Sequence, residues 1–455
     1  SSTLLSTTVT LIGSRHRISQ RVRKVANLSF TRVLIGWCNV DDRVSDFLQQ
    51  HFSLTRRAFI QAGLASTALA SGTTLAAQAD DSAVLQAAID SLESWLTLPD
   101  KFRDVSRGKP IPHSLPEEQR KELGLTRETW KLNVISDADN PASIANPLTG
   151  ENAFTFDDLM TLAKERAVRF PKVMTCLNIG CPLGMGIWEG VPLRDVIWKT
   201  QPTENLRRVF YYGYHNDKPE QMFRSSLPVG RVLEDPFGLP PVILCYKLNG
   251  EWLSPERGAP VRVVVPEAYG FKSIKWLTTV VLSNMPAAND TYGEKNNDLD
   301  SPLKTFCATI TAPKTAKADK AIPLTGWAQV GISGLKKVQV WVRNREEPLP
   351  ENDPHFLSAP WKDASILPAP PDLGGGTDGE VILPNTMYFD PSGVPKTWPL
   401  PLSKAHWCFL QPGLPPGKYT LRCRTIDSNG NAQPMPRPFR KSGHAAIEAT
   451  RFEVS

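Results

Sequence analysis

None of the seven cysteines belongs to a C-x-x-C pair or a C-x-x-C-H run. Neither a zinc ribbon nor a covalently attached c-type haem is therefore indicated. Apolar runs are also short: Ile60–Ala70 is well below the length of a permanent bilayer span. Net charge is missing from the main body. Residues 1–79 carry nine Lys/Arg and three Asp/Glu, which is the whole net charge of +6, and the remainder has 43 of each sign. A neutral body gives no broad electrostatic footprint for nucleic acid. Residues 1–52 contain no Met and no readable pattern, and no fold is assigned to them.

Proline, by contrast, is abundant. Forty prolines favour β-structure with long connections over a helical architecture. The 455 residues, 41% hydrophobic and 22% charged, suffice for two or three ordinary globular domains.

The basic N-terminal segment reads as an address. Ser53-Leu-Thr-Arg-Arg-Ala-Phe-Ile60 has the twin-arginine form, a modest apolar run follows, and Ala77-Gln-Ala79 offers small residues for cleavage. The competing reading is a buried Ala-rich helix after a chance arginine pair. The twin-arginine reading predicts export of a folded protein to the periplasm, with residues 1–79 as extension and signal peptide.

Beyond it, residues 80–129 read as a helical, charged lead-in, with Ala83 to Leu98 apolar at helical spacing. Residues 130–290 read as one mixed α/β domain. Thr155 is placed to N-cap a helix to Arg166 with an acidic first turn. Strands are expected at Trp130–Ile135, Val209–Tyr214, Val242–Leu248, Pro260–Pro266 and Trp276–Leu282, with a hairpin at Asn249-Gly250. After a polar linker, Ala287–Leu303, the apolar/polar alternation of Lys337–Arg343, Gly417–Arg424 and Thr450–Val454 suits an immunoglobulin-like all-β sandwich over residues 305–455. A Pro/Gly-rich insertion at about 346–402 interrupts it. Its Gly374–Gly376 run has no strand–helix frame and reads as a loop, not a phosphate cradle. The fold class is therefore α+β.

Two segments carry chemistry. Phe170-Pro-Lys-Val-Met-Thr-Cys-Leu-Asn178 delivers the thiol of Cys176 at a strand end, followed by Trp188-Glu-Gly-Val-Pro-Leu193, read as a tight turn into a helix from Arg194. Gly258-Ala-Pro-Val-Arg262 sets Arg262 in an otherwise apolar strand, where it needs a partner. Gly270-Phe-Lys-Ser-Ile-Lys275 is a glycine-led turn with Lys272 and Lys275. Taken alone, such a cysteine is more often a core residue and such lysines are more often solvated.

Together these segments resemble the sulfite oxidase family of molybdenum enzymes, in which one cysteine thiolate ligates the metal of a pyranopterin cofactor. The resemblance covers about residues 130–455. It implies molybdenum bound as molybdopterin, with Cys176 as the metal ligand. Cys181 is the local rival, but it leads Trp188 by seven residues where Cys176 leads by twelve. It further implies that Arg262, Ser273, Ile274 and Lys275 hold the pterin, with Lys272 beside them, and that Arg257 stands where the family has His or Asn. His215, in Phe210-Tyr-Tyr-Gly-Tyr-His-Asn-Asp217, is a candidate cofactor or substrate contact. Two departures bear on substrate: Phe223 replaces the family's active-site tyrosine, and Leu123–Trp130 stands where an Arg-Asn-His-type segment is expected. Arg224 or Arg257 is then expected to build the anion site.

The implied activity is oxygen-atom transfer, with sulfite or a related oxyanion first and a sulfoxide, including protein methionine sulfoxide, second. Electrons would pass through a separate carrier such as a cytochrome. A non-catalytic binding protein with a vestigial metal site is the reading of another class. Trp341, among polar neighbours on the outer face of Lys337–Arg343, reads as a partner anchor, which with the family's use of this region predicts a homodimer. The alternative is that Trp341 packs under the insertion. Cys245, Cys307 and Cys423 read as buried small hydrophobes, and the irregular cysteine spacing points to no particular disulfide.

Overall fold

The computed structural model describes residues 72–455, apart from 109, 216–221, 289, 292, 294–295, 301, 371–372, 374–384 and 436, and only the backbone of 72–80. The twin-arginine segment, Gly374–Gly376 and the Asn216–Asp217 end of the His215 loop lie outside the described residues. The chain divides into two compact units, residues 1–82 and 83–455. Of the first, only the opening of the helix Gly72–Asp90 is described.

That helix differs from the expected Ala83–Leu98. It ends at Asp90, and Trp95 and Leu96, though at helical spacing, pack with Val173, Met185 and Leu402. The Trp95 Nε1 donates to the Lys404 carbonyl at 2.6 Å. Tertiary partners decide the conformation here against the local pattern.

Two five-stranded sheets form the middle of the chain. The first runs in the order Phe154–Thr155, Lys131–Ser136, Leu277–Ser283, Arg208–Gly213, Arg224–Pro228. Its central pair, Lys131–Ser136 with Leu277–Ser283, is parallel, with Val134 opposite Val280. The second contains Val168–Thr175, Pro182–Pro192, Ile243–Leu248 and Glu251–Trp252, with Arg262–Val264 also on Ile243–Leu248. Both sheets bury one face in a single core: Leu132, Val134 and Val280 from the first meet Val191, Leu244 and Val263 from the second.

The helix Phe156–Arg166 closes this core with Leu159, and a full capping box starts it. The Thr155 hydroxyl accepts from the Asp158 amide at 3.2 Å, while the Asp158 carboxylate accepts from the Thr155 amide at 2.9 Å. Asn249 and Gly250 take φ of 52° and 86°, joining Ile243–Leu248 to Glu251–Trp252 as a primed hairpin turn does. The expected turn at Trp188–Leu193 is corrected. Trp188 to Pro192 is the end of an eleven-residue strand, and the helix Leu193–Ile197 starts directly after it.

The C-terminal part is all β. Its eight strands run Phe306–Thr311, Ile322–Gln329, Lys404–Gln411, Lys362–Ile366, Lys337–Asn344, Gly417–Ile426, Ala449–Val454, Thr315–Ala316. Residues from both ends of this path, among them Leu324, Trp407, Val338, Leu421 and Phe452, share one core. The insertion is more than a loop. Its strand Lys362–Ile366 pairs with Lys337–Asn344 on one side and Lys404–Gln411 on the other, bridging the two groups of strands.

The insertion also covers Trp341, so that residue is not an exposed anchor. Trp341 is 5% exposed, with its ring 5.5 Å from Phe356 and 5.9 Å from Trp361. The insertion further clamps the strand Val168–Thr175, whose Val173 amide donates to the Leu402 carbonyl at 2.8 Å. The Thr175 hydroxyl bonds the Gln329 side chain at 2.6 Å. These ties fix the strand end that carries Cys176.

Candidate active site

Cys176 is the first residue past the strand Val168–Thr175 and opens into a cavity of about 320 Å³. It is a free thiol, half-buried. Cys181, five residues on, is turned elsewhere: it packs on Phe306, Ala308 and Trp327, and its sulfur accepts a hydrogen bond from Arg103. The chain reversal between them carries one thiol to the cavity and the other to the C-terminal sheet.

Arg262 forms a buried part of the cavity wall. Only 4% exposed, it donates to the Arg257 carbonyl at 2.8 Å and to the Ser273 carbonyl at 2.6 Å, with its guanidinium 5.2 Å from the centre of the Trp188 ring. Its Nε is buried and unpaired. Burial pulls Arg262 down to about 10. The Ser273 hydroxyl accepts from the Val265 amide at 3.1 Å, so the turn after Gly270 is sewn to the strand that carries the arginine. Ser273, Ile274 and Lys275 all line the cavity.

Lys275 is held by its backbone and by its ammonium. Gly213 lies so close to the Lys275 carbonyl that a Cβ there would overlap it. Gly258, at φ +100°, faces the lysine's own Cβ. The ammonium donates to Asp104 at 2.9 Å and to the Ser106 hydroxyl at 2.7 Å, and also reaches the Glu256 carbonyl. Burial, reinforced by Arg262, pulls Lys275 down to about 8. Burial raises Asp104, but the Ser106 hydrogen bond and the Lys275 charge outweigh it and leave the carboxyl at about 2.

Arg257 and His215 also line the cavity. Arg257 donates to the carbonyls of Phe102 at 3.1 Å and Arg103 at 3.4 Å, and burial lowers it. His215 is half-buried and lowered by burial and by the Arg107 charge, so it is uncharged over more of the pH range.

Lys272 is corrected: it is not in the cavity wall. It points into the neighbouring sheet, where its ammonium donates to the Ser226 carbonyl at 2.8 Å and lies 3.5 Å from Asp290. Burial lowers it. Arg224 does not line the cavity either, whereas Phe223 does.

Sequence reasoning missed the segment 102–107. Phe102, Arg103, Val105, Ser106 and Arg107 form one wall, and the Arg107 guanidinium stands 5.2 Å over the Phe223 ring. The pattern places the upstream cationic segment at Leu123–Trp130, about twenty residues after the wall that the structure shows. The signal was the Phe102-Arg-Asp-Val-Ser-Arg107 run itself, two arginines in a loop before the first strand.

The described residues lining the cavity include Arg103, Arg107, Arg257, Arg262 and Lys275, and no Asp or Glu. Arg262, the buried one of these, has no carboxylate partner among the described residues, which is costly unless a ligand supplies the charge. A pyranopterin with its phosphate and a thiolate-held metal fits this donor set: a soft thiol, fixed cations, a buried unpaired guanidinium nitrogen and backbone carbonyls. No group of three or more His, Cys, Asp or Glu that could hold a metal alone occurs among the described residues.

Comparison with known proteins agrees. Residues 122–291 match the model of the oxidoreductase molybdopterin binding domain. The chain is 33% identical over 133 residues to the nitrate reductase [NADPH] of Pichia angusta, covering 29% of this chain and 14% of that protein. It is 28% identical over 232 residues to the mitochondrial sulfite oxidase of Drosophila melanogaster, covering 50% of this chain and 37% of that one. The matched segments thus span well under half of either relative. In fold it is similar to the crystal structure of the sulfane dehydrogenase SoxCD from Paracoccus pantotrophus, with a TM-score of 0.50 and 17% identity over 72% of this chain and 76% of that one. Residues 122–291 thus form an oxidoreductase molybdopterin binding domain, and this part of the chain is similar to sulfite oxidase and nitrate reductase.

Proposed function

We propose that this chain transfers an oxygen atom to or from a small oxyanion, sulfite or a relative of it, at the cavity reached by Cys176. The observation that carries the reading is the cavity wall: one free thiol facing five cationic side chains, with no carboxylate among the described lining residues.

When bound, molybdopterin supplies a metal that changes oxidation state by two electrons. The protein's share is placement. Cys176, at a clamped strand end, offers the soft anionic donor. Arg262 cannot swing, because two carbonyls hold its guanidinium, and its unpaired Nε is left for an acceptor. Arg257 and Lys275 bring positive charge to a substrate or cofactor oxyanion, and their ties to Phe102, Arg103 and Asp104 hold the 102–107 wall over the site. His215, with its charged form disfavoured, presents a neutral imidazole to the cavity.

One observation favours a second substrate class. Phe102, Val105, Phe223 and Phe271 make part of the lining apolar, and Phe223 offers no hydroxyl to an oxyanion. A sulfoxide with an organic substituent, such as a methionine sulfoxide, suits that surface. Steady-state rates with sulfite and with sulfoxides, each with an artificial electron carrier, separate the two; activity with neither overturns the proposal.

The wider setting is proposed on sequence grounds. The twin-arginine segment supports export to the periplasm, where a separate electron carrier such as a cytochrome would complete the redox cycle. Among the described residues no helix is long and apolar enough to cross a membrane. The shared core of the C-terminal strands supports an immunoglobulin-like unit over 305–455, and self-association through it would use a surface other than Trp341.

A further inference from the structure

We propose that Asp104 is a positioning residue that keeps Lys275 fixed and charged at the cavity, and so sets the pH range over which the site takes up an anion. The inference rests on the reading of the cavity as an anion site, and it concerns a residue outside the two sequence motifs.

The geometry is a three-point cage. Lys275 has three donor hydrogens, and Asp104, Ser106 and the Glu256 carbonyl accept all of them. Asp104 is itself oriented, since it accepts from the Ser106 amide at 3.0 Å and from the Ser106 hydroxyl at 2.5 Å. His113 approaches its other oxygen at 3.6 Å. The ammonium therefore cannot leave the wall without breaking a local turn.

The charges around this pair explain why it is needed. Arg262 and Arg257 act on Lys275 with the same sign as burial and favour its neutral form. Asp104 is the carboxylate that opposes them; Glu256 contributes its backbone oxygen to the lysine while its own carboxylate accepts from Ser254. Lys275 thus ends near 8, close enough to neutrality that one neighbouring charge decides its state.

Sign follows directly. A lysine with its value near 8 is charged below that pH and loses its charge as pH rises through it. Removing the Asp104 charge lowers the value further, by about one unit at the low end of what an opposite charge at this distance contributes. Asp104 also repels an incoming anion. Asp104→Asn should therefore bind an anion at least as well as wild type at low pH and worse at high pH, so the two affinity profiles cross. A merely structural residue would lower affinity at every pH.

The test is calorimetric titration of the full chain, produced without cofactor, with inorganic sulfate, which does not itself titrate between pH 6 and 10. The expected result is wild-type affinity that falls as pH rises through about 8. In Asp104→Asn the fall should move to lower pH by about one unit, with recovery in Asp104→Glu and loss of the step in Lys275→Met. Circular dichroism of each variant establishes that it is folded. Parallel profiles in wild type and Asp104→Asn, a step that survives in Lys275→Met, or no sulfate binding at all would overturn the proposal. Failure of the molybdopterin reading is seen separately, as absence of pterin from protein made in a cofactor-competent host.

Discussion

Arg262 and Ser273 are joined by hydrogen bonds in both directions: the arginine donates to the Ser273 carbonyl at 2.6 Å, and the serine hydroxyl accepts at 3.1 Å from the amide of Val265, the residue that follows the arginine's strand. The strand and the glycine-led turn, eleven residues apart, thereby become one rigid wall with the guanidinium held in it.

Arg262→Met should separate binding from stability. Two carbonyls lose a donor, which costs about 1–3 kcal/mol, but a buried charge with no carboxylate partner also disappears, which returns a similar amount. The urea midpoint of the cofactor-free chain should correspond to a change of no more than about 1 kcal/mol, while pterin retained after dialysis falls at least about tenfold. Unfolding of the variant, or full retention of pterin, would contradict the role given to Arg262.

Cys176→Ser should abolish molybdenum content, and Cys181→Ser should leave most of it. A hydroxyl is a harder and far less acidic donor than a thiol, and only Cys176 opens into the cavity. Metal analysis of the two purified variants checks this, and the reverse pattern would assign the ligand to the other end of the loop.

Trp341→Ala should cost about 3–5 kcal/mol, the range for a fully packed aromatic. The ring lies among Phe356, Trp361 and the Arg422 guanidinium, 5.3 Å away. Denaturant unfolding should show the loss, and the sedimentation coefficient of the folded variant should match wild type. Dissociation of a dimer without loss of stability would restore Trp341 as a partner anchor.

The acid limb of stability should carry a contribution from Asp104. Its folded value, about 2, lies below its ordinary 3.8. The contribution is therefore complete above about 4 and is lost as pH falls from there through about 2. Comparing wild type with Asp104→Asn by thermal unfolding at pH 2 to 6 tests the sign: the difference between them should shrink as pH falls. A difference that stays constant across that range would contradict it.

Much of the middle domain was legible because short-range chemistry decides it. Thr155 caps its helix, Asn249-Gly250 turns its hairpin, and the apolar run around Arg262 is a strand. Cys176 was legible from the strand that precedes it. Lys272 was not, because it turns away from the cavity that its neighbours Phe271 and Ser273 line, and the partner that claims it, Asp290, lies eighteen residues away. The wall at 102–107 was illegible for a related reason. Its conformation is set by Leu183, Arg257 and Lys275, none of which is near in sequence. Trp341 shows the limit of alternation arguments: the outer face of a strand is exposed only if nothing crosses it, and the strand Lys362–Ile366 was hidden in a Pro/Gly-rich context.

The most direct test of the account is the stoichiometry of molybdenum and pterin in the full chain purified from a cofactor-competent host. The account predicts about one of each per chain, with the metal lost in Cys176→Ser. Protein that folds normally in such a host yet carries neither would contradict it.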